Sequence, residues 1–368
     1  MKTHERLYID FHVLQTVPPS CINRDDAGTP KTAVYGGTTR ARISSQAWKR
    51  AIRLRFMERL PEGQVGKRTK DVLGLLAKTI AAQDASVNAE KLARDTLTEI
   101  KLIGKGKKKE DIDKTGALFF ISHAQLEALA KLAIAGEKEP KRLKAALNAA
   151  PALDMALFGR MVASGKNDDL ENLGIDAACQ VAHAISTHAV QNECDFFTAI
   201  DDCISEEHVG AGHLDTVEYN SATLYRYATL NVKELWEKGL DMDIPYAVRA
   251  FADAFIRSMP TGRLNSFANR TMPDFVYAVL RTDQPVNLAG AFEQPVSASA
   301  GGYVRRSVER LTAYAERVYE SFAEAPAAAY ASSMVEIKDG FASVMPVEKL
   351  LDALEKEVAA RLRDDEVM

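Results

Sequence analysis

The chain has 368 residues, 46% hydrophobic and 27% charged, the makeup of a water-soluble globular protein with room for more than one lobe. No apolar run approaches the roughly 20 residues that span a bilayer. The polar start MKTHERLY is unlike a signal peptide, and the 4 cysteines have no C-x-x-C spacing, so a cytoplasmic protein without a disulfide framework or zinc site is expected. The formal charge of −4 means that any basic surface must be local.

Residues 6–16 alternate, with Leu7, Ile9, Phe11 and Val13 on one side and Asp10 and His12 on the other, which predicts a strand. Pro18 and Pro19 are expected to stop it, and 20–39 reads as a long loop with turn residues at Asp25, Asp26, Gly28, Pro30, Gly36 and Gly37. Ser44 or Ser45 then caps a helix over 46–60.

This helix carries the main functional signal. No acid occurs from Ala27 to Met57, whereas Lys31, Arg40, Arg42, Lys49, Arg50, Arg53 and Arg55 are all basic. Ala47, Trp48, Ala51, Ile52 and Phe56 form an apolar stripe, and Gln46, Lys49, Arg50 and Arg53 an adjacent polar one. Most charge runs are solvated faces, but those usually mix signs. A one-sign stripe behind the positive end of a capped helix instead suggests a site for a phosphate backbone.

Residues 61–150 read as a helical insertion, with helices near 69–82, 89–102, 122–135 and 140–149 and a charged loop containing Lys105, Lys107, Lys108 and Lys109. Strands are expected at 152–161, 180–191 and 223–232. Residues 192–221, opening with CDFFTAIDD and holding Gly210, Ala211 and Gly212, suggest a protruding hairpin. A helix over 245–259, a strand over 274–281 and tail helices near 305–322 and 347–363 complete the chain. The order strand, helix, strand, strand, helix, strand matches the split βαβ plan of RNA-recognition modules. An α+β fold is therefore expected, with a discontinuous RRM-like palm (1–60, 151–191, 222–300), helical fingers (61–150), a thumb hairpin (192–221) and C-terminal helices (301–368).

Catalytic chemistry is sparse. Asp25 with Asp26 and Asp201 with Asp202 are the carboxylate pairs that metal-dependent phosphodiester cleavage could use, but adjacent acids in a turn usually cap or solvate it. His183 and His188, five apart on a predicted strand, face opposite ways. No Walker loop or H-E-x-x-H occurs. No enzyme activity, cofactor or metal is expected; a ribonuclease using Asp25 and Asp26 is the alternative.

The segments PSCINRDDAGTPK, YGGTTRARISSQAWKRAIR, GRMVASG, VAHAISTHAV and DFFTAIDD resemble, in order and spacing, the backbone subunit of the type I-E CRISPR surveillance complex (Cascade), called CasC or Cse. The resemblance implies a hand-shaped, non-nuclease protein whose copies stack head to tail along a CRISPR RNA, each thumb kinking the neighbour's guide. Implied partners are the crRNA, target DNA, further copies of the chain, and the large, small, guide-processing and 5′-end-capping subunits. By the same resemblance Ser44, Gln46, Lys49, Arg50 and Arg53 are candidates for the guide backbone. Asn23, Arg24 and Lys31 match positions beside the nucleic-acid path, and Met161 matches an apolar residue packing on a base. Phe196, Phe197 and Thr198 match the thumb, and Leu214 its returning side. Arg40 and Arg42 lie on the approach to the helix, and Arg263 and Arg270 flank a loop that suits further backbone contacts.

Overall fold

The computed structural model describes residues 6–104, 113–162, 173–199, 213–240 and 242–367. Its centre is a mixed sheet in which β1 (Tyr8–Ser20) lies between β9 (His213–Asn231) and β10 (Phe275–Arg281), antiparallel to both. Beyond β10 come β11 (Ala328–Ser333) and β12 (Ser343–Val344); beyond β9 come β7 (Ala184–Ser186), β3 (Thr38–Ile43) and β2 (Thr32–Tyr35). The short β6 (Cys179–Val181) also pairs with β9, as does β8 (Glu193–Ala199) at its far end.

One face of the sheet is apolar because β1 offers Ile9, Phe11 and Val13, and helices cover it. They are α1 (Ser45–Arg59), α8 (Ile244–Arg257) and α11 (Val347–Val367). In α8, Ala247, Val248, Phe251, Ala252 and Phe255 recur at helical spacing and are all buried. Phe251 meets Phe11 edge to face at 5.6 Å, and each such ring taken from water contributes about 1.5–3 kcal/mol.

The opposite face is polar at Asp10 and His12, yet it is sealed too. A 3-10 helix (Leu288–Phe292) and α10 (Val304–Ser321) lie over it, so both residues are fully buried. Asp10 is satisfied inside, accepting from Tyr227 Oη and the Val286 N–H, whereas His12 Nδ1 lies 2.9 Å from Tyr225 Oη and its buried Nε2 has no hydrogen-bond partner among the described residues. The strand alternation read from the sequence is correct in period, but no face is left to solvent.

A separate apolar cluster organises the insertion, formed by α2 (Val72–Gln83), α3 (Ala89–Glu99), α4 (His123–Ile134) and α5 (Pro140–Asn148), with Leu173. A two-stranded pair, β4 (Lys67–Thr69) with β5 (Phe119–Ile121), lies between the helices and was not expected.

Other expectations are corrected. The prolines do not end β1, which continues to Ser20 through a register shift between Val17 and Ser20, where the missing N–H groups are tolerated. The loop expected over 20–39 instead holds β2 and the start of β3, paired as a hairpin. Residues 152–161 include the helix α6 (Leu153–Phe158), ended by Gly159 at φ +77, rather than a strand. Residues 180–191 contribute only β7 and most of β6 to the sheet. In contrast, β9 is longer than expected: one half is central in the sheet, and the other continues into the pairing with β8.

Candidate nucleic-acid interface

The start of α1 is fixed by its neighbours. Ser44 is extended (φ −67°, ψ 148°) and its Oγ accepts the Ala47 N–H, so it is the cap. Its own N–H donates to Asn23 Oδ1 at 2.9 Å. The Lys31 N–H donates to the Asn23 carbonyl, and the Arg42 N–H to the Lys31 carbonyl. Asn23, Lys31, Arg42 and the cap therefore share one knot of backbone, with no acid in the first turn of the helix to oppose an anion.

Along α1, Gln46 and Arg50 are exposed, and Arg50 has no ion pair with a described residue. Lys49 is half-buried, its Nζ lying 5.5 Å from the centre of the Phe158 ring. Phe158 ends α6, and three residues later comes Met161, which is 93% exposed. That exposure is built in. The preceding Arg160 is buried and donates to the Leu173 and Leu147 carbonyls and to Asn148 Oδ1, and it bridges to Ile175, so the chain is held while Met161 points to solvent.

Two of the expected phosphate contacts are instead internal. Arg40 is fully buried, donating to the carbonyls of Tyr35, Ser186, Phe292 and Glu293, which join β3 to the segment below α10. Arg53 ion-pairs with buried Asp154 at 2.6 Å, donates to the Gly66 carbonyl, and stacks on Phe120. The outward stripe of α1 is thus Gln46, Lys49 and Arg50, without Arg53. Arg55 also pairs inward, with Asp253.

On the other side of the knot, the loop through Arg263 and the exposed Arg270 packs against 21–30. A Cβ on Gly262 would lie 1.9 Å from the Ile22 carbonyl, so the two segments touch backbone to backbone. Arg263 takes a left-handed conformation (φ +49°), and its buried Nε has no hydrogen-bond partner among the described residues. Arg24 is exposed and bridges to Pro30.

The hairpin begins beside this loop. The Tyr219 ring of β9 is 6.0 Å from that of Phe267. Farther out, β8 pairs Phe196 with Thr216, Phe197 with Asp215 and Thr198 with Leu214. Phe196 is 59% and Phe197 41% exposed, and Thr198 is exposed as well, so neither ring belongs to the core. Lys105, Lys107, Lys108, Lys109, Asp201, Asp202 and the Gly210–Gly212 turn lie outside the described residues.

The carboxylate of Asp25 is engaged in its own turn. It accepts the N–H groups of Ala27 and Thr29 and the Thr29 hydroxyl, and these bonds, the Thr29 hydroxyl first, hold its pKa below the usual carboxylate range. No cluster of three metal-ligating side chains occurs among the described residues. His188 stacks on Tyr303 at 3.7 Å and accepts the Thr223 N–H, while His183 points elsewhere and meets Arg42.

Sequence reasoning missed Asp154, which lay in a segment misread as a strand, and gave no role to Arg160. The signal for the latter was present: an arginine beside a glycine turn in the GRM segment.

The sequence matches the family described as CT1975-like protein over residues 9–356. It is similar to a chain of a solved "CRISPR RNA-guided surveillance complex, pre-nicking", with 32% identity and a TM-score of 0.81, covering 95% of this chain and 99% of that one. A chain of another "CRISPR RNA-guided surveillance complex" shares 28% identity at a TM-score of 0.70, again covering 95% and 99%. No curated protein matches. The matched range takes in the capped helix, Met161 and the β8–β9 pair, and the chain belongs to the CT1975-like protein family.

Proposed function

We propose that this protein is a non-catalytic backbone subunit of a type I-E CRISPR surveillance complex. Copies assemble head to tail along a crRNA and present its bases for pairing with target DNA, in company with the other Cascade subunits. The observation that carries this reading is the juxtaposition on one chain of a cationic, acid-free helix start with exposed apolar groups, Met161 on one side and Phe196 and Phe197 on the hairpin.

The chemistry suits a guide of any sequence. Phosphates would meet the capped end of α1, then Lys31, Lys49 and Arg50, while apolar side chains stack on or wedge between bases without reading their edges. Backbone contacts position a strand and leave its base edges available, as a guide requires.

The strand order β10–β1–β9 followed by β6 and β7, with α1 and α8 on one face, supports an RRM-like palm. The apolar cluster of the insertion supports fingers, and the β8–β9 pairing a thumb. The ribonuclease alternative is disfavoured because Asp25 is already committed to its turn.

Expression of the tagged chain with a CRISPR array and the other subunits tests the reading. Recovery of crRNA of one defined length, with several copies of this chain per RNA, is the expected result. A nucleic-acid-free monomer would overturn it. Cleavage of complementary RNA by the complex in magnesium, lost on Asp25→Ala, would establish the alternative.

A further inference from the structure

His183 stands exposed between β6 and β7, against Arg42, which together with Asn23 and Lys31 lines a small groove. Arg42 Nη1 lies 3.1 Å from His183 Nδ1, and the same guanidinium donates through Nε to the Thr32 carbonyl. A guanidinium can only donate. His183 therefore accepts at Nδ1, and its neutral ring carries its proton on Nε2, away from Arg42. The charged groups acting on the ring are Arg42 from β3 and Lys31 from the segment before β2, both cations, with no opposing carboxylate among the described residues. Such a histidine is poorly placed as a core or ion-pair residue.

We infer that Lys31, Arg42 and His183 form one phosphodiester site, in which a proton taken up by His183 tightens the grip on the anion. The inference rests on the proposed function and adds a residue and a pH response to it. In the free protein, partial desolvation and then the charges of Arg42 and Lys31 hold the imidazole below its ordinary pKa. Protonation at Nδ1 would also break the hydrogen bond from Arg42. An anion reverses both effects. Its oxygens accept from Arg42 Nη1 and from His183 Nδ1–H together, and its charge offsets the two cations.

Binding therefore raises the affinity of His183 for its proton. The added contact is fully present below the free-state value and is lost as pH rises through the bound-state value. A rise of one unit on binding corresponds to about tenfold tighter binding on the acid side.

The test is the affinity of the full chain for labelled single-stranded RNA at fixed salt, at about pH 5.5 and about pH 7.5. The wild type should bind more tightly at the lower pH, by at most about tenfold for each unit by which binding raises the proton affinity of His183. His183→Gln should lose most of that difference, and His183→Arg should bind tightly at both values. A wild-type pH response in either folded variant overturns the inference and leaves the proposed function standing. No RNA affinity in the wild type at either pH overturns both. Should His183→Gln fail to fold, the flat or sloping profile of His183→Arg decides.

Discussion

Arg53 donates its Nε–H to Asp154 at 2.6 Å, and the other oxygen of that carboxylate accepts the Gly66 N–H at 2.8 Å. This pair joins α1 to the start of the insertion and to α6, beneath the outward stripe of Gln46, Lys49 and Arg50. It separates two kinds of cation on one helix: Arg53 holds the frame, and Lys49 and Arg50 face the solvent path.

Removing Arg53 should therefore be a stability lesion. Asp154 is fully buried, and Arg53→Ala would leave its charge with only the Gly66 N–H and the weaker influence of Arg68, costing up to about 3–5 kcal/mol. Urea denaturation should reveal the loss. A stable Arg53→Ala protein with weakened RNA binding would show that the side chain serves the ligand instead.

Lys49→Glu with Arg50→Glu should give the opposite pattern. Folding should change little at exposed Arg50 and by about 0.5–1 kcal/mol at Lys49, whose ammonium lies over the Phe158 ring. RNA affinity should fall for all sequences alike, with the dependence on log salt flattening by about one or more per lost phosphate contact. An unchanged salt slope in filter binding would remove these residues from the interface.

The hairpin rings should matter only in the assembly. Phe196→Ala with Phe197→Ala should leave the melting curve of the chain nearly unchanged, because the rings are largely exposed. If each stacks on a base, guide affinity in the assembled complex should weaken by about 1–3 kcal/mol per ring. Wild-type assembly and guide binding by the double variant would exclude the hairpin from that role.

The sealed face of β1 predicts a compensated pH response. Burial pushes Asp10 up to about 6, so its contribution is present at low pH and lost as pH rises through that value. Burial, with a smaller effect from Arg281, holds His12 down to about 3, so its contribution is present above its unfolded value and lost as pH falls. Between about pH 4 and about pH 6 the two slopes oppose each other. Asp10→Asn keeps an acceptor for the Val286 N–H and removes one slope. Its stability should then rise with pH across that window, by up to about 1.4 kcal/mol per unit. Parallel profiles for wild type and variant, by urea titration, would contradict the pairing.

Much of the candidate site was legible because its signals are local. Ser44 capping, the stripe of Trp48, Ala51, Ile52 and Phe56 and the absence of acids lie within one helix, where spacing sets direction. Adjacency on one strand likewise implied that at most one of Phe196 and Phe197 could be buried, and both are exposed. The segment over 153–158 was misread because six apolar-rich residues have no clear period, and only packing separates a short helix from a strand.

The sequence alone determined where positive charge gathers, where α1 starts, and that a hairpin interrupts the strand order. It could not determine which cations reach solvent. Arg40 ends on a carbonyl 146 residues away and Arg53 on a carboxylate 101 residues away, and a basic side chain looks the same in sequence whether it meets water or a distant partner. The covering of Asp10 and His12 is likewise a tertiary fact: α10 comes from far along the chain, and burial is set by what packs on a face rather than by the residues that make it.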